Sequence, residues 1–282
     1  MIITILSGKG GTGKTTVSTN LAKVLSENLK VQLLDADVEE PNDHIFFNVD
    51  FSQTESVNIL LPVVDESRCI QCGECAKVCQ FGAIALFSTG VKVFETLCHG
   101  CGACSIACPV DAISEKPKEI GKVKIGTVNA TMNFGMGILN IGEPSGVRII
   151  RQLKKHIDRK ADVILIDSSP GTSCPVVESL READFAILVT EPTTFGLHDL
   201  KLAVDLVKEM NIPAGIVVNK DNEEVTIIDD FAKEADIPII LKIPFDREIA
   251  TLYSRGELFV EYLPEWKKRF FDAFETIKGL IK

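Results

Sequence analysis

Apolar residues along this chain recur with two different periods. Continuous runs rich in Val and Ile, at Met1–Ser7, Lys30–Asp35, Asp162–Asp167, Asp184–Thr190, Ala214–Asn219 and Ile237–Ile243, read as buried strands. Between them apolar residues return every three or four positions. Val17, Leu21, Val24 and Leu25 predict a helix over Val17–Asn28, and Val147, Ile150, Leu153 and Ile157 another, opened by Pro144-Ser145-Gly146 with Ser145 as its cap. Further helices are expected over Leu197–Met210, Glu224–Ala235 and Pro264–Lys282. Strand–helix alternation of this kind predicts an α/β fold, a mostly parallel doubly wound sheet with helices on both faces. Residues 56–64 read as an edge strand or a linker, and residues 119–141 alternate like strands.

The first strand runs straight into Gly8-Lys9-Gly10-Gly11-Thr12-Gly13-Lys14-Thr15-Thr16 and then into a helix. This fits G-x-x-x-x-G-K-S/T in its required strand–turn–helix context. Gly8, Gly10, Gly11 and Gly13 let the backbone curl until its N–H groups share one concavity. The helix N-terminus adds partial positive charge suited to phosphate. Lys14 can reach β- and γ-phosphates and the Thr15 hydroxyl can hold Mg²⁺, so ATP and Mg²⁺ are the expected ligands.

The pattern changes in the middle of the chain. Cys69, Cys72, Cys75 and Cys79 read C-x₂-C-x₂-C-x₃-C, and Cys98, Cys101, Cys104 and Cys108 repeat that spacing 29 residues later, followed by Pro109. Gln80 stands where the first run would carry the proline. The run resembles that of bacterial-type ferredoxins with two [4Fe–4S] clusters. The fourth cysteine is expected to start a short helix pointing away and so to serve the other cluster. One cluster then takes Cys69, Cys72, Cys75 and Cys108, the other Cys98, Cys101, Cys104 and Cys79. Zinc is the competing metal, although zinc sites favour two C-x₂-C pairs with a longer spacer. The insert is expected to span 65–117, leaving at Pro117, with 1–64 and 118–282 forming the P-loop domain.

Lys9, directly after the first glycine, resembles the second lysine of the deviant P-loop in the MinD/ParA/nitrogenase-iron-protein ATPases. That resemblance implies an ATP-dependent homodimer in which Lys9 reaches the partner's phosphates. It also implies that residues 35–42 are the first switch, with Asp37 orienting the attacking water and Asp35 on the Mg²⁺ side. Asp167 then ends a Walker B strand and holds Mg²⁺ through water, residues 167–171 are the second switch, and residues 119–141 form a hairpin. Asn219 resembles the residue that reads the adenine edge, or is a turn former, and Pro244 resembles a residue lining the base pocket. Cys174 sits seven residues beyond Asp167, as a cysteine does in the nitrogenase iron protein. It reads as a small buried hydrophobe, with a transient metal ligand at the dimer face as the alternative.

Composition narrows the partners. A net charge of −10 argues against broad non-specific nucleic-acid binding. There is no charged-then-apolar leader and no apolar run near the roughly 20 residues that span a bilayer, so a soluble cytoplasmic protein is expected. In that compartment nine cysteines point to metal rather than disulfides. Trp266, Phe270, Phe274, Ile277 and Ile281 stripe the last helix, which suits packing on a sheet or, as in MinD, a membrane face. The leading functional expectation is an ATPase that couples nucleotide state to electron transfer or to iron–sulfur or metal cofactor assembly on a partner protein. The alternatives are a MinD-like positioning or scaffold ATPase with structural clusters, and a nucleotide-regulated electron carrier.

Overall fold

The buried runs become neighbouring strands because none can satisfy its backbone alone in an apolar interior. The computed structural model describes residues 1–222 and 224–281, so Lys282, the expected end of the last helix, lies outside the described residues. In chain order the elements are β1 (Ile2–Leu6), α1 (Lys14–Leu25), β2 (Val31–Ala36), β3 (Asp50–Val64), α2 (Glu74–Lys77), β4 (Ile84–Phe87) and β5 (Gly90–Val93). Then come α3 (Ala103–Ile106), β6 (Ile113–Asn129), β7 (Met132–Leu139), α4 (Val147–Lys154), β8 (Val163–Ser168), α5 (Cys174–Leu180), β9 (Phe185–Thr190) and α6 (Thr194–Glu209). The chain ends with β10 (Ala214–Asp221), α7 (Ile227–Ala235), β11 (Ile239–Pro244), α8 (Arg247–Ser254), α9 (Phe259–Tyr262) and α10 (Glu265–Leu280).

Nine strands form one sheet in the order β11-β10-β9-β1-β8-β2-β7-β6-β3. The run from β11 to β7 is parallel, and β6 and β3 add antiparallel strands at one edge. Strand side chains alternate between faces. Ile3 and Ile5 of β1 therefore join α1, α9 and α10 in one core, while Ile2 faces α4 and Leu6 faces α5, α6 and α7. Every residue of β1, β2, β8 and β9 is buried, as a parallel sheet covered on both faces requires. The expected mostly parallel sheet with helices on both faces is the observed one.

Residues 56–64 lie in the edge strand β3, the first of the two readings, which runs to 15 residues and pairs along its length with the 17-residue β6. Three other local expectations change. Pro117 lies inside β6 opposite Leu60, and the ladder continues past it to the pair Val64–Ile113. Residues 65–112 thus hang from the end of a two-stranded ribbon that grows out of the main sheet. The N-cap of α4 is Gly146, with no side-chain cap bond, and Ser145 Oγ accepts the Val147 N–H at 3.4 Å instead. Within the insert the short helices carry the third cysteine of each run, Cys75 in α2 and Cys104 in α3, and the fourth follows the helix. Gly73 and Gly102, at φ 77° and 76°, turn the chain into these helices early.

The stripe of α10 is spent on the core: Trp266, Phe270, Phe274 and Ile277 are all buried. Phe270 stands beside Phe259 at 5.9 Å between ring centroids. Among the described residues no helix is long and apolar enough to cross a membrane. Phe270→Ala should lower unfolding stability by about 3–5 kcal/mol in urea denaturation, the usual cost of emptying a buried aromatic site. A loss below about 1 kcal/mol would mean that the stripe is not core.

Candidate functional site

Because β1, β2, β8 and β10 are parallel, their C-terminal ends meet at one edge of the sheet. The loop after β1 lies there, with Gly11 at φ 77° and Gly13 at φ 98°. A Cβ on Gly13 would fall 2.1 Å from Asn219 Nδ2, and one on Gly8 would fall 2.3 Å from the Asp199 carbonyl oxygen. Gly10 and Gly11 face open space. Asn219, at the end of β10, donates from Nδ2 to the Thr12 carbonyl at 2.8 Å, so it braces the loop. Lys14 and Thr16 open α1 and are buried. Thr12 Oγ1 is buried with no hydrogen-bond partner among the described residues.

Lys9 is held within its own chain. Its Nζ pairs with Glu191 Oε1 at 2.5 Å, and Lys220 Nζ reaches Glu191 Oε2 at 3.3 Å and the Gly11 carbonyl at 3.1 Å. Burial works to raise the Glu191 pKa, but the Lys9 hydrogen bond and the Lys220 charge outweigh it and hold the carboxyl below its ordinary value. Glu191-Pro192-Thr193 is legible in sequence as a strand end like that of the resembling family, but Glu191's role is not, since its partners are 182 and 29 residues away.

Four carboxylates crowd the ends of β2 and β8. Asp35 Oδ1 accepts the Asp37 N–H at 3.2 Å, and Oδ2 accepts those of Asn42 and Asp43 at 2.9 and 3.0 Å, closing the loop between. Asp167 Oδ2 accepts from Thr15 Oγ1 and Ser18 Oγ, both at 3.1 Å, and Thr15 also donates to Asn42 Oδ1 at 2.9 Å. Asp35, Asp43 and Asp167 are fully buried, and burial pushes all three pKa values up. Half-buried Asp37 is pushed up to about 6, by burial first, against the opposing charge of Lys14, with Asp167, Glu39 and Glu40 raising it further. Asp167 Oδ1 is buried without a partner among the described residues, which suits a residue reserved for a cation. Mg²⁺ keeps several waters and takes few protein ligands beside phosphate, so Thr15 and Asp167 fit it. Asn42 falls inside the expected first switch without a role of its own, and Asp43 and Ser18 were missed by sequence reasoning.

Beside the loop lies a cavity of about 320 Å³ lined by Gly13, Thr16, Asn219, Pro244, Phe245 and Tyr253. Phe245 is 68 % exposed beside it. Asn219 and Pro244 thus share one pocket with the glycine loop. Phe245 lies in the loop between β11 and α8 and Tyr253 near the end of α8, so the pocket they share forms only in the fold.

The eight cysteines of the insert fall into two small cavities. Cys69, Cys72, Cys75 and Cys108 line one, and Cys79, Cys98, Cys101 and Cys104 line the other. Each set takes its fourth member from the opposite run. Backbone N–H groups point at the sulfurs: Ala83 to Cys79 and Ala112 to Cys108, both at 3.2 Å, and Gly100 to Cys98 at 3.4 Å. All nine cysteines are free of disulfides. Among the described residues no three His, Cys, Asp or Glu side chains converge on a single ion. Four thiols around a small void with N–H donors fit a cubane, whose corners bind separate irons.

Cys174 is exposed at the start of α5, and the expectation of a buried hydrophobe is corrected. Residue 173 is extended and 174 begins a new helix, so the thiol turns outward into a cavity of about 440 Å³. Cys98 and His99 line its other side, with Phe81 stacked on His99 at 3.8 Å. Arg148 of α4 crosses between the two parts, donating from Nη2 to the Gly100 carbonyl at 2.6 Å.

A glycine loop after β1, buried aspartates at the ends of β2 and β8, and a parallel sheet define a P-loop nucleotide-binding protein. Residues 3–259 match the CobQ/CobB/MinD/ParA nucleotide binding domain, and the chain belongs to that family. It is 34% identical to the uncharacterized protein MJ0579 of Methanocaldococcus jannaschii, over 93% of this chain and 92% of that one. It is 28% identical to the cytosolic Fe-S cluster assembly factor Nubp2 homolog of Anopheles gambiae, over 94% and 90% of the two chains. The septum site-determining protein MinD from Pyrococcus horikoshii, solved with Mg-ADP, shares the fold with a TM-score of 0.61 and 23% identity, over 98% of this chain and 95% of that one.

Gly13→Ala should leave the sheet folded but strain the loop, since the added methyl meets Asn219 at a positive φ. A strain of about 1–3 kcal/mol corresponds to roughly five- to 150-fold weaker nucleotide binding. Titration with a fluorescent ATP analogue reads this; unchanged affinity would mean that nucleotide does not use the loop.

Proposed function

We propose that the chain is a cytoplasmic, ATP-hydrolysing iron–sulfur protein that works as an ATP-dependent homodimer in the assembly or transfer of iron–sulfur clusters to a partner protein. The observation that carries this reading is the pair of four-cysteine cavities on a ribbon of the nucleotide-binding sheet. The Nubp2 homolog's name gives that relative the same kind of task, which supports assembly over simple electron transfer.

On this reading the insert, residues 65–112 with the end of the ribbon up to Pro117, is a ferredoxin-like domain with two resident [4Fe–4S] clusters. Cys69, Cys72, Cys75 and Cys108 hold one, and Cys98, Cys101, Cys104 and Cys79 the other. Such clusters supply one-electron chemistry and a source of assembled iron and sulfide. The backbone N–H groups from Gly10 to Thr16 cradle the phosphates of ATP, and Lys14 neutralises them. Thr15 and Asp167 hold Mg²⁺, with Asp35 fixing the loop behind it. Asp37 orients the water that attacks the γ-phosphorus in line as the β–γ bridging bond breaks, leaving ADP and phosphate. Its raised pKa makes it a competent proton acceptor near neutral pH. Asn219 and Pro244 line the adenine pocket. Lys9 has to leave Glu191 to reach a partner's phosphates, so that ion pair holds the monomer in an unassembled state.

The Arg148 bond gives nucleotide state a route to the insert. The second switch, residues 167–171, leads into α5, and Lys154 of α4 donates to the Glu178 carbonyl of α5 at 2.9 Å. Movement of the switch therefore reaches α4 and, through Arg148, the loop between Cys98 and Cys101.

Protein prepared anaerobically should carry about eight iron and eight sulfide per chain. It should hydrolyse ATP and load an apo iron–sulfur acceptor in an ATP-dependent way. Lys14→Ala should abolish hydrolysis with iron content unchanged. Arg148→Ala should keep both iron and hydrolysis but remove the ATP dependence of transfer. Iron-free protein, or transfer indifferent to ATP in the wild type, would defeat the reading.

A further inference from the structure

Asp43 is the buried charge that the proposed chemistry leaves unused. It is 0 % exposed, no N–H or O–H donor among the described residues reaches either carboxyl oxygen, and its carboxyl faces that of Asp167 within hydrogen-bond reach. Asp35 beside it differs, since both its oxygens accept backbone N–H groups. Asp167 is intermediate: Oδ2 is satisfied by Thr15 and Ser18, and Oδ1 is orphaned. Three unsatisfied carboxylate oxygens, two from Asp43 and one from Asp167, thus lie in one dry region. Asn42 Oδ1 and Thr15 Oγ1 adjoin it.

Leaving this unmet is expensive. A buried carboxylate without a counter-charge is strongly disfavoured, and two side by side more so. The positive group acting on this cluster is Lys14, whose charge bears on Asp37 and Asp167. One lysine cannot balance Asp35, Asp37, Asp43 and Asp167 together. The donors are all oxygen, which selects a hard divalent cation such as Mg²⁺ or Mn²⁺ over a soft one.

We propose that Asp43 and Asp167 form a divalent-cation site that fills without nucleotide and braces the first switch before ATP arrives. The bracing follows from the chain. Asp43 opens a 3₁₀ turn, Asp43–Phe46, and Asp35 ties that turn back across the loop bearing Asp37. Phe46 packs on Tyr253 at 5.2 Å between centroids, and Tyr253 lines the adjoining cavity. A cation on Asp43 would therefore stiffen the switch and one wall of the pocket together, and nucleotide would meet a partly ordered site.

The site adjoins the proposed MgATP site, so it is tested with nucleotide absent. Full-length protein is stripped with EDTA, desalted and titrated with Mn²⁺, with free Mn²⁺ read by EPR and thermal unfolding followed in parallel. The wild type should bind one Mn²⁺ per chain, displaceable by Mg²⁺, and unfold at higher temperature when loaded. Asp43→Asn should weaken this binding at least tenfold, with stability in EDTA equal or higher, since it removes a buried charge. Asp43→Ser serves if that variant does not fold. Equal Mn²⁺ binding by variant and wild type would overturn the proposal, as would a large loss of stability in EDTA. Mn²⁺ binding seen only when ATP is present would also overturn it while leaving the nucleotide reading intact.

Discussion

Parallel strands deliver their C-terminal ends to one edge of a sheet, and in this protein that edge collects charge. Asp35 lies near the end of β2 and Asp167 near the end of the neighbouring β8, and the glycine loop leaves β1 on the other side of β8. Helices cover both faces, so these carboxylates are sealed from water rather than solvated by it. The architecture thus brings anions together where their repulsion is least screened. A pocket built this way is unsettled until cations and phosphate supply the balance, and that instability is what makes it a binding site. Asp35 shows the other solution: its charge is met by three N–H groups and becomes a strut for the switch loop.

The second constraint is the ribbon of β3 and β6. A two-stranded sheet such as β4–β5 is marginal alone, and short helices like α2 and α3 add little. The insert is therefore ordered from its root and from its cysteine-lined voids. The Cys98–Cys101 loop lies against the root, where a Cβ on Gly100 would come 2.8 Å from Ile59 Cβ. The crossed sharing of cysteines ties the first run to the second, so on the proposed reading each cluster would also hold the halves of the insert together.

The fold was legible where information is local. Strands buried on both faces appear as unbroken Val and Ile runs, and helices between them as amphipathic periods. Boundaries moved where pairing overrides propensity: Pro117 marks no exit because β6 can carry a proline opposite Leu60 within a ribbon at the edge of the sheet. Within the site, the glycine loop and the strand-end aspartates stood out because their chemistry is fixed by spacing along the chain. Asp43, Glu191 and the wall of Phe245 and Tyr253 did not, since each matters only through residues far away in sequence. Cys174 was misjudged for the same reason: a lone cysteine carries no periodicity to say which way it faces.

These features connect the two halves of the molecule. The first switch is tied by Asp35 and Asp43 on one side of β8, and the second leaves β8 itself toward α5. Asp167 lies in both environments, bonded to Thr15 and Ser18 of α1 and followed directly by the second switch. On the proposed reading, a change in the charge it faces would act on both loops, since Asp167 is buried and bonded to α1 at the start of the second. From α5 the path to the insert is short, through α4 and one guanidinium. On the proposed reading, a coupling that rests on so few contacts would be carried by displacement of rigid elements rather than by diffuse softening, starting from the charge at the end of β8.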